Sequence, residues 1–147
     1  DWSLLEKNKD LFEFFKFMID YRKKHPVIRK KLDNAVCGME AMHAHDVNAE
    51  RMEVPQNAKT LAVSFAGYDR KKGKDDLVYV AVNAYWEEVK ITLPNLANHG
   101  AWYLSVDTYG DEKGKYFYQE GEEIRIDREY VMKPRSIVVF TGREILR

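Results

Sequence analysis

The chain has 147 residues, an apolar fraction of 45% and no net charge, with 24 basic residues balancing 24 acidic ones. That length fits one domain with one core, and the balanced charge argues against a nucleic-acid partner, whose binding surface needs a basic excess. The one cysteine, Cys37, has no internal disulfide partner and points to a reducing compartment, for which we expect the cytoplasm. No apolar run approaches the roughly 20 residues that span a bilayer, so no membrane partner is expected.

The opening Asp1-Trp2-Ser3 leads into a charged stretch and carries no secretory signal pattern. From Asn8 to about Lys24 the spacing predicts a helix. Asn8 is the expected N-cap, and Asp10 sits in the first turn, where the helix dipole favours an anion. Lys23, Lys24 and His25 lie at the other end, and Pro26 stops the helix. Glu13, Lys16, Asp20, Lys23 and Lys24 fall on one narrow polar stripe. Leu11, Phe12, Phe14, Phe15, Phe17, Met18, Ile19 and Tyr21 cover the rest, an apolar arc of roughly 220° that only Arg22 interrupts. An ordinary surface helix shows about 100° or somewhat more. This helix therefore needs apolar partners on two sides, one from the rest of the chain and one from a subunit or another part of a larger protein; the alternative is a helix deeply buried in a single domain, which a domain of this size rarely achieves.

Beyond Pro26 the apolar period changes from near 3.6 to near 2. Thr60–Tyr68 and Leu77–Asn83 read as strands joined by the charged loop Asp69–Asp76, whose tip is expected to be solvated. Strands over Glu88–Leu93, Trp102–Thr108, Glu123–Ile126 and Ser136–Thr141 follow, with glycines mostly between them. The segment from Asn34 to Gln56 is expected to hold one or two irregular strands and a loop. Many short strands with regularly spaced turns predict a mainly β fold, an antiparallel sandwich or barrel with one helix at its front.

Few residues suggest chemistry. His43 and His45 would share one face of a strand, a spacing metals can use, but no third ligand is near and His25 and His99 are remote; hydrogen-bonding edge histidines are the preferred reading, with no metal and no cofactor. Cys37 lacks the base and the electropositive setting of a nucleophile. No G-x-S-x-G elbow, P-loop or dinucleotide fingerprint occurs. A glycosidase needs two carboxyls facing each other across roughly 5–10 Å, whereas Glu13, Asp20, Asp69, Asp75, Asp76, Asp111, Glu112 and Glu120 fall on turns or on the polar stripe. Asn83-Ala84-Tyr85-Trp86-Glu87 is the most distinctive stretch. Its two aromatics could stack on a sugar while Asn83 and Glu87 bond the hydroxyls, or Trp86 could cap the core or pack on a neighbouring domain. Packing is the preferred reading, and exposure of the rings is what separates the two.

Asp1-Trp2, Asn8-Lys9-Asp10-Leu11 and Tyr21-Arg22-Lys23-Lys24-His25-Pro26 together resemble the last barrel helix of the α-amylase superfamily. Within it the chain is most similar to the debranching group of isoamylases, bacterial-type glycogen debranching enzymes and pullulanase-like enzymes. Lys59-Thr60-Leu61-Ala62, Asn83-Ala84-Tyr85-Trp86-Glu87 with Leu93-Pro94, Trp102 with Val106-Asp107-Thr108, and Lys133 to Phe140 follow in the family's order. Met42-His43-Ala44 stands where the family often has Trp-His-Gly, and Asp46 to Gln56 departs from its usual wording.

The resemblance implies an antiparallel Greek-key β-sandwich over 31–147, preceded over 1–30 by the last helix and linker of a (β/α)₈ barrel absent from this chain. It implies that the catalytic Asp, Glu and Asp lie upstream of Asp1, so that the chain alone is no enzyme and its parent hydrolyses α-glucans. The expected role is a non-catalytic accessory domain that stabilises the barrel. The barrel of the same polypeptide would pack around Phe12, Phe14, Phe17 and Tyr21, and without it the exposed helix face would favour self-association. A carbohydrate-binding module built on Asn83, Tyr85 and Trp86, with α-glucan as partner, and a plain protein-interaction sandwich are the alternatives.

Overall fold

A computed structural model describes residues 1–49, 54–97 and 100–144. His99 and part of the Asn34 to Gln56 segment lie outside the described residues. The chain opens with a short helix α1 (Ser3–Lys7) and a long one, α2 (Lys9–Lys24), followed by a 3₁₀ turn at Pro26–Ile28. Among the described residues eight strands follow: β1 (Met42–His45), β2 (Thr60–Asp69), β3 (Lys74–Asn83), β4 (Val89–Thr92), β5 (Gly100–Asp107), β6 (Ile124–Ile126), β7 (Glu129–Met132) and β8 (Ser136–Glu144). They form an antiparallel six-stranded sheet in the order β1-β2-β3-β8-β5-β6 and a two-stranded sheet of β4 and β7. The chain leaves the large sheet for β4 after β3, rejoins it as β5 and β6, leaves again for β7 and returns as β8 between β3 and β5, the long return that marks a Greek key.

Period-2 alternation gives the large sheet two apolar faces. One face, with Ala62, Leu77, Tyr79, Trp102, Leu104 and Phe140, packs against Ile91 of β4, Leu93 and Met132 of β7. The opposite face presents Val78, Val106 and Val139 to Phe17 and Tyr21 of α2 and to Val27. The molecule is thus layered as helix, large sheet, small sheet. A bulge between Leu104 and Val106 shifts the register, so that Leu104 joins the first core and Val106 the second. Trp102 fits because Gly142 stands opposite it; a Cβ at Gly142 would lie 2.9 Å from Leu77 Cβ and 3.0 Å from Trp102 Cζ3. The indole N–H donates to the Pro94 carbonyl at 2.8 Å, so the largest core side chain leaves no polar atom unpaired.

Several local expectations are corrected. Asn8 makes no side-chain cap to α2; its Nδ2 donates back to the Leu4 carbonyl, and it joins α1 to α2. The charged loop between β2 and β3 is shorter than its composition suggests, because β3 begins at Lys74 and takes Asp75 and Asp76 into the strand. Both carboxylates are consumed there as backbone acceptors. Asp75 takes the N–H groups of Val36 and Cys37, at 2.8 Å each, and Asp76 takes the N–H of Val27 at 3.0 Å. Strand β7 was not expected; it pairs with β4 to form the small sheet.

Candidate functional site

The two-sided character of α2 is resolved into two kinds of face. Phe17 and Tyr21 point to the sheet and are buried. Phe14 is half-buried and packs on Tyr116 and Phe117, with ring centroids 5.3 and 6.0 Å away. The Tyr21 hydroxyl is 2.7 Å from Thr141 Oγ1, which is 2.8 Å from Ser105 Oγ, a chain of three hydroxyls between helix and sheet. Burial pushes the Tyr21 phenol well above its ordinary pKa, so it acts as a neutral hydrogen-bonding group. At the helix end His25 Nδ1 lies 2.6 Å from Asp76 Oδ1 while the other carboxylate oxygen holds Val27. Together these contacts fasten α2 to β3, β5 and β8.

On the other side Leu11, Phe12, Phe15 and Ile19 stay between 50% and 58% exposed, at the i, i+1, i+4, i+8 spacing of one helical stripe. Trp2, Leu4 and Leu5 of the preceding turn are exposed beside them and share a shallow apolar groove with Leu11, Phe12 and Phe15. The expected open patch at Phe12, Phe14, Phe17 and Tyr21 is therefore corrected. Only Phe12 belongs to the open stripe, because the sheet claims Phe17 and Tyr21 while Tyr116 and Phe117 cover Phe14. A second open strip lies on the helix side of the large sheet, where Leu61, Val82 and Ile137 pair in register across β2, β3 and β8. The row two residues further along the strands, Val63, Val80 and Val139, leads toward the part that α2 covers.

Beyond the end of β3, Trp86 is 65% exposed and stacks on the half-buried Tyr85 with centroids 4.7 Å apart. The Lys59 ammonium sits 4.0 Å from the Tyr85 ring centre. Trp86 thus does not cap the core. Asn83, expected to bond substrate, is corrected to a scaffold residue and is 1% exposed. Its Nδ2 donates to the carbonyls of Glu87 and Lys133, at 3.0 and 3.1 Å, and its Oδ1 accepts the Tyr85 N–H at 3.0 Å. That last bond is an Asx turn, a pattern an Asn at a strand end can announce in sequence.

His43 and His45 lie on one face of the edge strand β1 with rings 4.8 Å apart, and each bonds protein groups. His43 meets Glu40 at 3.0 Å, and His45 meets Ser64 Oγ at 2.8 Å and the Ala49 carbonyl at 3.1 Å. Among the described residues no group of three His, Cys, Asp or Glu side chains could hold a metal ion. Burial raises the Cys37 thiol pKa, which keeps it protonated and poorly nucleophilic. A cleft of about 510 Å³ separates α2 from the 118–123 segment. Part of its ionic lining is paired internally, His25 with Asp76, Arg143 with Glu123, and Lys24 with Asp20. Such pairing commits these carboxylates to contacts within the fold. No helix among the described residues is long and apolar enough to cross a membrane.

Known proteins resemble this arrangement in sequence. The family described as Isoamylase, C-terminal matches residues 35–141. A curated relative from Oryza sativa subsp. japonica, "Isoamylase 3, chloroplastic", is 28% identical over 108 residues, which make up 73% of this chain and 12% of that protein. The match thus covers a small share of a much longer relative. With the family's signature running through both sheets, from the residues before β1 into β8, the chain belongs to the isoamylase C-terminal domain family.

Proposed function

We propose that this chain is a non-catalytic accessory domain of an α-glucan debranching glycoside hydrolase, and that it stabilises the enzyme's (β/α)₈ catalytic barrel by packing against it. In this reading residues 1–30 are the barrel's last helix and linker, and residues 31–147 are the sandwich. The observation that carries it is the open apolar stripe Leu11, Phe12, Phe15 and Ile19 on the back of a helix whose front is already buried. A stripe of that size needs a partner, and the row Leu61, Val82 and Ile137 extends the available surface along the sheet. The small share of the rice relative that the match covers supports a domain that works inside a longer enzyme. The free Cys37 supports a reducing location, and we place the protein in the cytoplasm.

The test supplies the catalytic barrel of an isoamylase-family enzyme in trans. The wild-type chain should raise the barrel's melting temperature by several degrees through linkage, while Phe15→Ser and Ile19→Ser should abolish the shift without lowering the chain's own stability. The chain alone should release no reducing ends from glycogen. An unchanged barrel melting temperature, or hydrolysis by the chain alone, would overturn the proposal.

A further inference from the structure

Two strands of the large sheet end in the same device. At the end of β3 the Asn83 side chain accepts the Tyr85 N–H at 3.0 Å, and at the end of β5 the Asp107 side chain accepts the Tyr109 N–H at 3.0 Å. Each Asx turn projects aromatic rings just past the strand. Strands β3 and β5 flank β8 on either side, with Asn83 opposite Ser136 and Asp107 opposite Val138, so the two turns sit at one end of the sheet about 10 Å apart. Trp86 is 65% exposed and Tyr109 60% exposed, while the other aromatics of the sandwich are buried or half-buried.

The turns are fixed from beneath. Asn83 is bound to two carbonyls, and the second oxygen of Asp107 accepts the Tyr130 hydroxyl at 2.5 Å. Between the two turns Lys133 reaches Glu88 at 2.5 Å and lies 6.0 Å from the Tyr109 ring centre. Lys59 stands on the other side, beside Tyr85 and Trp86. The end of the sheet therefore offers two open aromatic faces on rigid mounts, rimmed by ammonium and carboxylate groups. Flat apolar faces alternating with hydroxyl-bearing edges are the chemistry of a pyranose chain, and a preorganised platform binds it without an ordering cost.

We propose that Trp86 and Tyr109 form a surface ledge for an α-glucan chain, with Lys59, Glu88 and Lys133 bonding sugar hydroxyls. The α-linkage rests on the debranching-enzyme reading above, while the ledge rests on this geometry. The test is electrophoresis of the full chain in native gels containing glycogen, with cellohexaose added as a competitor in a second series. Glycogen should retard the wild-type chain, and Trp86→Ala and Tyr109→Ala should each weaken that retardation about five- to tenfold. Both side chains are exposed, so melting temperatures should stay unchanged and report a folded protein. Phe15→Ser, on the separate helix stripe, should leave retardation intact. Retardation that survives both aromatic substitutions would overturn the ledge, and so would its absence in the wild type, even with barrel stabilisation intact. Full competition by cellohexaose would overturn the α-glucan assignment, and loss of barrel stabilisation in Trp86→Ala with glycogen binding unchanged would make the ledge a protein contact instead.

Discussion

Burial holds the His45 ring below the ordinary histidine pKa, outweighing the Ala49 carbonyl, which favours the charged form; the neighbouring His43 adds to the lowering. The unfolded chain takes up this proton near the ordinary value of about 6.5, and the native state resists it. His45 therefore contributes stability that is present in full above about pH 6.5 and is lost as pH falls from there through the lower native pKa. Urea unfolding followed by Trp fluorescence should show the wild-type midpoint falling across that range more steeply than the His45→Gln midpoint; parallel curves would refute the assignment. Two buried tyrosines give a contrast at the same scale. The Tyr79 hydroxyl is buried without a hydrogen-bond partner among the described residues, whereas the Tyr21 hydroxyl bonds Thr141. Tyr79→Phe should leave stability unchanged or raise it slightly, and Tyr21→Phe should cost about 0.5–1.5 kcal/mol. The same urea midpoints check both.

Between elements, the fastening of α2 is concentrated at Asp76. One oxygen faces His25 and the other the N–H of Val27, so Asp76→Asn should cost about 1.5–3 kcal/mol, the range for bonds to a charged group. The loss should be local. Hydrogen exchange should speed in Lys9–Lys24 while β3, β5 and β8 stay protected, because the core between the two sheets has no contribution from α2. Uniform acceleration across the sheet would instead show that helix and sheet open as one unit. The elements differ in how legible they were. The wide apolar arc of α2 and the alternation of β2, β3, β5 and β8 are short-range signals, and each corresponds to an element in the structure. The partition of that arc was not legible, because Phe14, Phe17 and Tyr21 are chosen over Phe12 and Phe15 by partners about a hundred residues away, such as Phe117 and Thr141. Asp75 and Asp76 misled for the same reason, since a charge run looks like a solvated loop until the backbone donors that claim it arrive from another segment. Tyr109 gave no warning beyond the Asp two residues before it, and its relation to Trp86 exists only once β8 lies between β3 and β5.

For the whole molecule, the surface left open decides how it behaves alone. Leu11, Phe12, Phe15 and Ile19 form one stripe, joined by Trp2, Leu4 and Leu5, and zero net charge supplies no long-range repulsion to keep two copies apart. Two stripes facing each other about a two-fold axis would satisfy both copies at once. Sedimentation equilibrium should therefore show a reversible monomer–dimer transition in the micromolar range, the weak end expected for a contact smaller than the usual interface of about 800 Å² per partner. Ile19→Ser should shift the chain to monomer, while Trp86→Ala, outside the stripe, should not. If the barrel packs as proposed, a catalytic barrel added in trans should also dissolve the dimer, since both contacts would use the same side chains. A dimer that persists beside bound barrel would mean the copies meet through another surface and would separate self-association from barrel packing. Monomers at every concentration would mean that the stripe is too small or too curved to pair with itself, leaving a larger concave partner as its only cover.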